Sequence, residues 1–149
     1  MRGIHPWLFP CAFLLFSEAA ISAPRDFVGS AACGACHPVI FRSWQATAHA
    51  RASSPEVLGA WVMDGACLSC HATGDAISAR AKLPGVQCEA CHGGGAAYMA
   101  EDIMRDRALA RLLGLRDLEN PSAACGRCHR SGTSPVPFEY PTAWAKIAH

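Results

Sequence analysis

The sequence predicts a small domain that is mainly α-helical and contains extensive coil. Its 149 residues are enough for one domain. Two segments, Pro38–Arg51 and Tyr98–Leu113, carry apolar residues at helical spacing, and Gly114 follows the second as a helix-ending residue. No segment alternates between apolar and polar residues as a half-buried strand does. These observations favour helices that are joined by irregular chain.

Shorter elements follow from local signals. Ser54-Pro55-Glu56 predicts the start of a helix through Trp61 and Met63, and Thr142 is the predicted cap of a last helix over Ala143–Ala148. Residues 72–87 contain the turn-forming residues Gly74, Asp75, Pro84 and Gly85, so we expect a loop there.

The first 23 residues have the pattern of a secretory signal peptide. A short basic start precedes the apolar run Pro6–Phe16, and small residues lie just before Pro24. A membrane anchor is the alternative, but the run is far shorter than the ~20 residues needed to span a bilayer. We therefore expect residues 1–23 to be cleaved, Cys11 to be lost with them, and residues 24–149 to form one domain without stable membrane insertion.

Composition restricts the function classes. The formal net charge is only +1, and no run of lysine or arginine indicates nucleic-acid binding. Nine cysteines are many for so short a chain. Cysteine at this density indicates disulfides, a metal or a covalent cofactor, because a small chain cannot easily build a sufficient core alone.

Four copies of one pentapeptide, C-x-x-C-H, use every cysteine after residue 24. The cysteines are Cys33, Cys36, Cys67, Cys70, Cys88, Cys91, Cys125 and Cys128. The histidines are His37, His71, His92 and His129. This pattern is the attachment signature of c-type haem. Two thiols add across the two vinyl groups of one haem edge, and the adjacent histidine ligates iron as the proximal axial ligand.

A zinc site or a disulfide scaffold is the alternative for paired cysteines. Neither needs a histidine after every second cysteine, which this sequence has four times in four. The sequence therefore predicts four covalently bound haem c groups. The expected fold is a compact multihaem cytochrome c fold organised around them, because large apolar rings supply a core that the chain lacks.

Several blocks resemble the cytochrome c-554 family of multihaem, including tetrahaem, c-type cytochromes. They are Phe27–Ser30 before the first motif, Ser43–Gln45 with His49 after it, Gly85–Gly93 around the third motif, and Trp144–His149. The resemblance covers nearly all of residues 24–149 and implies a mainly helical unit with closely packed haems. It implies electron transfer in the periplasm; the family's namesake carries electrons from hydroxylamine oxidation.

The sequence departs from the family in two places. Gly94 stands where the family usually has proline. No histidine lies between the third motif and His129, although the namesake has a distal ligand in that stretch.

The chain has too few histidines to fill both axial positions of four haem irons. Four haems offer eight axial positions, whereas residues 24–149 contain six histidines, four of them proximal. The family resemblance makes His49 and His149 distal candidates. Met63, Met99 and Met104 are further candidates, a neighbouring subunit is another source, and an empty position is a third outcome. We expect the shortage near the third motif, because Met99 and Met104 follow it where the namesake has histidine.

Electron transfer is the leading prediction, and an enzyme is the less favoured reading. No catalytic residues are assigned, because the sequence shows no catalytic triad, paired carboxylates or phosphate loop. An enzyme acting at a five-coordinate iron on nitric oxide, nitrite, hydroxylamine or peroxide is one alternative. A subunit of an extracellular conductive filament, hence a homo-oligomer, is another. Haem propionates would make the nearly neutral chain negative, so we expect redox partner proteins with a cationic docking patch.

Overall fold

The structure is a computed structural model that describes residues 26–59, 65–74, 83–130 and 137–149. The predicted signal peptide, residues 1–23, lies outside the described residues, and so does the candidate ligand Met63. All six histidines after residue 24 and all eight motif cysteines lie inside them.

Short helices make up most of the regular structure in these ranges. They are α1 (Ser30–Cys36), α2 (Pro38–Gln45), α3 (Pro55–Leu58), α4 (Gly65–His71), α5 (Cys88–His92), α6 (Glu101–Arg105), α7 (Arg107–Leu112), α8 (Pro121–Cys125) and α9 (Tyr140–Trp144). The predicted class, mainly α with extensive coil, is confirmed. None of these described helices has the length and apolar character needed to cross a membrane.

The C-x-x-C-H motifs coincide with helices. Helices α1, α4 and α5 each contain both cysteines of one motif, and the fourth motif begins at the end of α8 and continues in a turn. On a helix, residues three apart share a face. The two thiols of such a motif can therefore meet one edge of a planar group.

The longest predicted helix, Tyr98–Leu113, is interrupted. Asp106 lies between α6 and α7 with φ −106° and ψ 94°, which is not helical backbone. Its side chain accepts a hydrogen bond from the Leu109 amide at 3.0 Å and so caps α7. Because aspartate satisfies a helix start better than a helix interior, two short helices replace one. Gly114 ends the second with φ +111°, as predicted.

Two other boundaries differ from prediction. The last helix is α9, which begins with Pro141 in its first turn, so the predicted range Ala143–Ala148 is wrong. Helix α2 ends at Gln45, and successive turns carry the chain from Ala46 to Ser54.

A two-stranded antiparallel sheet lies where the sequence predicts only loop. Strand β1 (Ala72–Thr73) pairs with β2 (Leu83–Pro84), with Ala72 opposite Pro84 and Thr73 opposite Leu83. Strands of two residues are too short to leave an alternating pattern in the sequence. The sheet joins the end of the second motif to the chain that leads into the third.

The described residues bury few apolar side chains of their own. Leu58, Tyr98 and Ala110 are the buried hydrophobic residues in these ranges, whereas Leu112 is 83% exposed. Side-chain packing alone therefore gives little of the apolar burial that stabilises a domain of this size. Something other than protein has to fill the space between the helices.

Candidate cofactor site

A cavity of about 1730 Å³ lies between the motifs. Its lining includes Cys70 and His71 of the second motif, Cys91 of the third, and Cys128 and His129 of the fourth. Sites for a single small molecule are typically about 300–1,000 Å³. The cavity therefore has room for more than one large group held by these motifs.

Two pairs of imidazole rings lie opposite each other. His49 and His129 line this cavity, whereas His92 and His149 line a smaller one. The ring centres of His49 and His129 are 6.1 Å apart, and those of His92 and His149 are 5.9 Å apart. An imidazole nitrogen binds a transition metal at about 2 Å, as in zinc sites, and the ring centre lies about 1 Å farther out. Two axial rings on one metal therefore stand about 6 Å apart, which is the spacing of both pairs.

Backbone carbonyls orient three of the imidazoles. The Nδ1 atom of His71 lies 2.7 Å from the Ala52 oxygen, that of His92 lies 3.2 Å from the Arg116 oxygen, and that of His149 lies 3.0 Å from the Ile147 oxygen. A carbonyl only accepts, so Nδ1–H donates in each case. The lone pair is then on Nε2, which is the arrangement of metal-binding histidines.

Burial keeps two of the paired rings in their neutral form. Desolvation lowers the pKa of His49, and the neighbouring His129 lowers it further. Desolvation is also the largest cause of the lowered pKa of His92. Only a deprotonated ring nitrogen can ligate a metal, so burial favours the ligating state.

The turn that carries His49 is fixed by the segment leading into the third motif. The Val86 amide donates to the His49 carbonyl at 2.9 Å, and the Trp44 indole donates to the Val86 carbonyl at 2.9 Å. Gly85 has φ +79°, and a Cβ atom there would lie 2.7 Å from the Ala50 oxygen. Only glycine allows this close approach of the two backbones.

The same turn holds the histidine of the second motif. The Ser53 hydroxyl donates to the His71 carbonyl and accepts from the Gly85 amide at 2.7 Å. Ala52 provides the carbonyl for the His71 ring. One turn, from Ala46 to Ser54, therefore orients His71 and also presents His49 to the fourth motif.

Thiols from different motifs lie against each other. The Cys33 thiol is hydrogen-bonded to Cys88, which raises the pKa of Cys33 and lowers that of Cys88 to about 6. Burial, and then a hydrogen bond with Cys70, raises the pKa of Cys128 to about 11. The first motif thus lies beside the third, and the second beside the fourth. The sulfur atoms of these thiols are the ones that would form thioether bonds to haem.

The donor set fits haem. No disulfide joins the eight motif cysteines, so every thiol is available for attachment. Within the described ranges, no three cysteine, histidine or acidic side chains converge as a metal cluster would require. Paired thiols, an adjacent oriented histidine and a second imidazole at 6 Å are the groups that covalent haem needs.

The distal candidates separate into two groups. His49 and His149 face motif histidines, whereas Met99 and Met104 are 44% and 36% exposed and line neither the large cavity nor the smaller one between His92 and His149. The structure places His149 opposite His92, so it gives no support to a ligand shortage at the third motif, and the ligation itself stays a prediction. Within the described residues, no imidazole ring faces His37 or His71.

Some contributing residues have no signal in the sequence. Phe138 stacks on the His129 ring with centres 4.4 Å apart, and Arg116 serves His92 through its carbonyl oxygen. A backbone carbonyl leaves no trace in residue type. Glu89, inside the third motif, is also buried, and its position between two cysteines is the one signal that could have directed attention to it.

Comparison with known proteins agrees with this geometry. Residues 32–93 match the model of the family described as cytochrome c554 and c-prime. In these residues the chain is similar to the cytochrome c-554 family. The protein named cytochrome c-554 from Nitrosomonas europaea is 31% identical over 105 residues, which cover 56% of this chain and 45% of that protein. The chain thus spans about half the length of this relative. No solved structure matches.

This similarity implies covalently bound haem c, and therefore haem iron, in the chain. The matched range, residues 32–93, contains the first three C-x-x-C-H motifs and His49. The predicted resemblance to the cytochrome c-554 family is confirmed.

Proposed function

We propose that residues 24–149 form a periplasmic tetrahaem cytochrome that passes electrons between redox partner proteins. Residues 1–23 direct export and are cleaved. Each C-x-x-C-H motif holds one haem through its two cysteines and its histidine. The haems supply the redox chemistry by cycling between ferric and ferrous iron; the protein sets their spacing, ligands and burial.

The two imidazole pairs carry this proposal. Separations of 6.1 Å and 5.9 Å match two axial rings on one iron, and two of these four histidines, His49 and His149, lie outside the motifs. We assign His49 to the iron of the fourth motif and His149 to the iron of the third.

The arrangement of thiols supports transfer within the chain. Because Cys33 lies against Cys88 and Cys70 against Cys128, groups attached there are neighbours in pairs. Electron transfer needs short distances and no bond-making by protein side chains. This placement supplies both conditions, with the first motif beside the third and the second beside the fourth.

Two irons, at His37 and His71, lack a facing histidine in this arrangement. All six histidines after residue 24 are then assigned as iron ligands, so a second copy of residues 24–149 has no unassigned histidine that could serve these irons. A methionine ligand would leave such a haem low-spin with a raised potential. An open position would leave it high-spin.

An enzyme acting at an open iron is the second candidate function. The observation in its favour is the absence, within the described residues, of an imidazole facing His37 or His71. Small molecules such as nitric oxide, nitrite, hydroxylamine or peroxide could bind there. A filament whose haems take histidine ligands from neighbouring copies has no such support, because every histidine after residue 24 is already assigned to an iron.

Charge favours a transient partner with a cationic surface. The full chain is almost neutral, at +1. The propionates of four haems add enough negative charge to make the net charge of the holoprotein negative. Long-range attraction then speeds its encounter with a positively charged patch on a partner. The association rate should fall as ionic strength rises.

Intact mass with a haem assay tests the proposal. Secreted holoprotein should have the mass of residues 24–149 plus four haems, and its alkaline pyridine spectrum should give four c-type haems per chain. A mass without these additions, or eight thiols that react freely with an alkylating reagent, would show that the motifs do not attach haem.

A further inference from the structure

Glu89 is a buried carboxylate at the centre of the third motif. Its exposure is 1%. Its Oε1 atom accepts hydrogen bonds from the Val28 amide at 2.9 Å and the Gly95 amide at 2.7 Å, and its Oε2 atom accepts from the Gly29 amide at 2.8 Å. With three N–H donors and no acceptor on these oxygens, the hydrogen bonds suit the ionised carboxylate.

These hydrogen bonds tie two motifs together. Val28 and Gly29 lead directly into α1, which carries the first motif, whereas Glu89 belongs to α5 of the third. The neighbouring Gln87 accepts from the Ser30 amide at 2.6 Å, and the Cys88 amide donates to the Ser30 hydroxyl at 3.2 Å. Glu89 is thus the charged member of the contact that holds the first motif against the third.

No described cation forms an ion pair with this carboxylate. The ion pairs of the described residues involve Glu101, Asp117 and Glu119. Arg116 approaches α5, and its guanidinium donates to the backbone carbonyls of Glu89 and Ala90 at 3.3 Å each. A buried charge without a cation is costly, because nearby solvent cannot screen it.

A ferric haem in the third motif would place a positive charge near the Glu89 carboxylate. The two cysteines that attach this haem, Cys88 and Cys91, flank Glu89 in α5. A ferric haem core carries one more positive charge than a ferrous one, so a buried anion beside it stabilises the ferric state. Reduction adds one electron to the iron and removes that attraction.

We propose that Glu89 is a positioning residue whose buried negative charge lowers the reduction potential of the third-motif haem, while its hydrogen bonds hold the first motif in place. The inference rests on the proposed function, since it needs haem at the third motif. One unit charge about 10 Å from an iron, at an effective dielectric constant of about 20, changes the ferric-to-ferrous ratio by about tenfold.

The test is a redox titration of four-haem holoprotein, parent against Glu89→Gln. The third-motif haem is identified as the one whose low-spin signal is lost in His149→Ala, because His149 faces His92. In Glu89→Gln the ferrous-to-ferric ratio of this haem should be about tenfold higher at the potential where the parent's haem is half-reduced. Glu101→Gln is the matched control, because it removes the same charge from a solvent-exposed side chain and should leave the titration unchanged.

Glu89→Asp separates charge from packing. It keeps the carboxylate but shortens its reach by one methylene, so the denaturation midpoint should fall while the potential stays close to the parent's. Equal potential shifts in Asp and Gln variants, or no shift in Gln, would overturn the proposal. If only Glu89→Asp matures, a raised potential in that variant overturns it, and an unchanged potential with lowered stability supports it. Fewer than four haems in the parent would contradict the proposed function instead.

Discussion

The third and fourth motifs differ from the first and second in whether a second imidazole ring faces the motif histidine. His92 faces His149 and His129 faces His49, whereas no imidazole within the described residues faces His37 or His71. The facing rings come from distant parts of the chain, one from the turn after α2 and the other from the segment after α9. Irons of one chain can therefore differ in ligation although their attachment motifs are identical, because long-range contacts decide the sixth position.

We expect the largest effect from a substitution that removes one of the facing imidazole rings. His49→Ala should convert the fourth-motif haem from low spin to high spin while all four haems stay attached, because no other histidine is available. Carbon monoxide binding to the reduced protein should rise by one equivalent per chain. Arg51→Ala is the control from the same turn, since this residue is exposed and its guanidinium donates to the Ala46 carbonyl. A spectrum and potentials that match the parent would make His49 a bystander.

The other pair can be tested with a ligand replacement. His149→Ala should make the third-motif haem high-spin, whereas His149→Met should keep it low-spin with a raised potential, because thioether ligation favours ferrous iron. Potentiometry with optical detection distinguishes the two variants. If both keep the parent's potentials, His149 does not reach the iron and the pairing with His92 is wrong.

A smaller effect should follow from disturbing the turn that presents His49. Gly85→Ala places a Cβ atom 2.7 Å from the Ala50 oxygen at φ +79°, so we expect a loss of about 1–3 kcal/mol in unfolding free energy. Part of the fourth-motif haem should become high-spin. Gly59→Ala is the matched control, because φ is +54° but a Cβ atom there meets nothing within 4 Å. Equal losses in both variants would show that backbone strain alone, and not the close approach to Ala50, is responsible.

The smallest effect is expected at the second motif. Ser53→Ala removes the hydroxyl that bridges the His71 carbonyl and the Gly85 amide, which should cost about 1 kcal/mol. The EPR signal of the second-motif haem should change in its g values, whereas the signals of the third and fourth should not. A change confined to the third motif would mean that the bridge does not act on His71.

The sequence carries a clear signal for the local attachment pattern and little signal for the long-range pairing of the rings. Each C-x-x-C-H motif needs only five consecutive residues, so the eight thioether cysteines and four proximal histidines can be named from spacing alone; their roles stay predictions. His49 and His149 were candidates through family resemblance. Which motif each ring faces depends on packing between distant segments, so the sequence could not place His149 opposite His92. Asp106 interrupted the helix predicted over Tyr98–Leu113, because apolar periodicity does not report a capping side chain.

The central claim is that two haems per chain, those at the third and fourth motifs, have two histidine ligands and that the other two do not. Quantitative EPR combined with near-infrared magnetic circular dichroism on ferric four-haem monomer tests it directly, because the charge-transfer band distinguishes bis-histidine from histidine–methionine and high-spin haem. We predict two bis-histidine equivalents per chain. Four bis-histidine equivalents from a verified monomer would contradict the account.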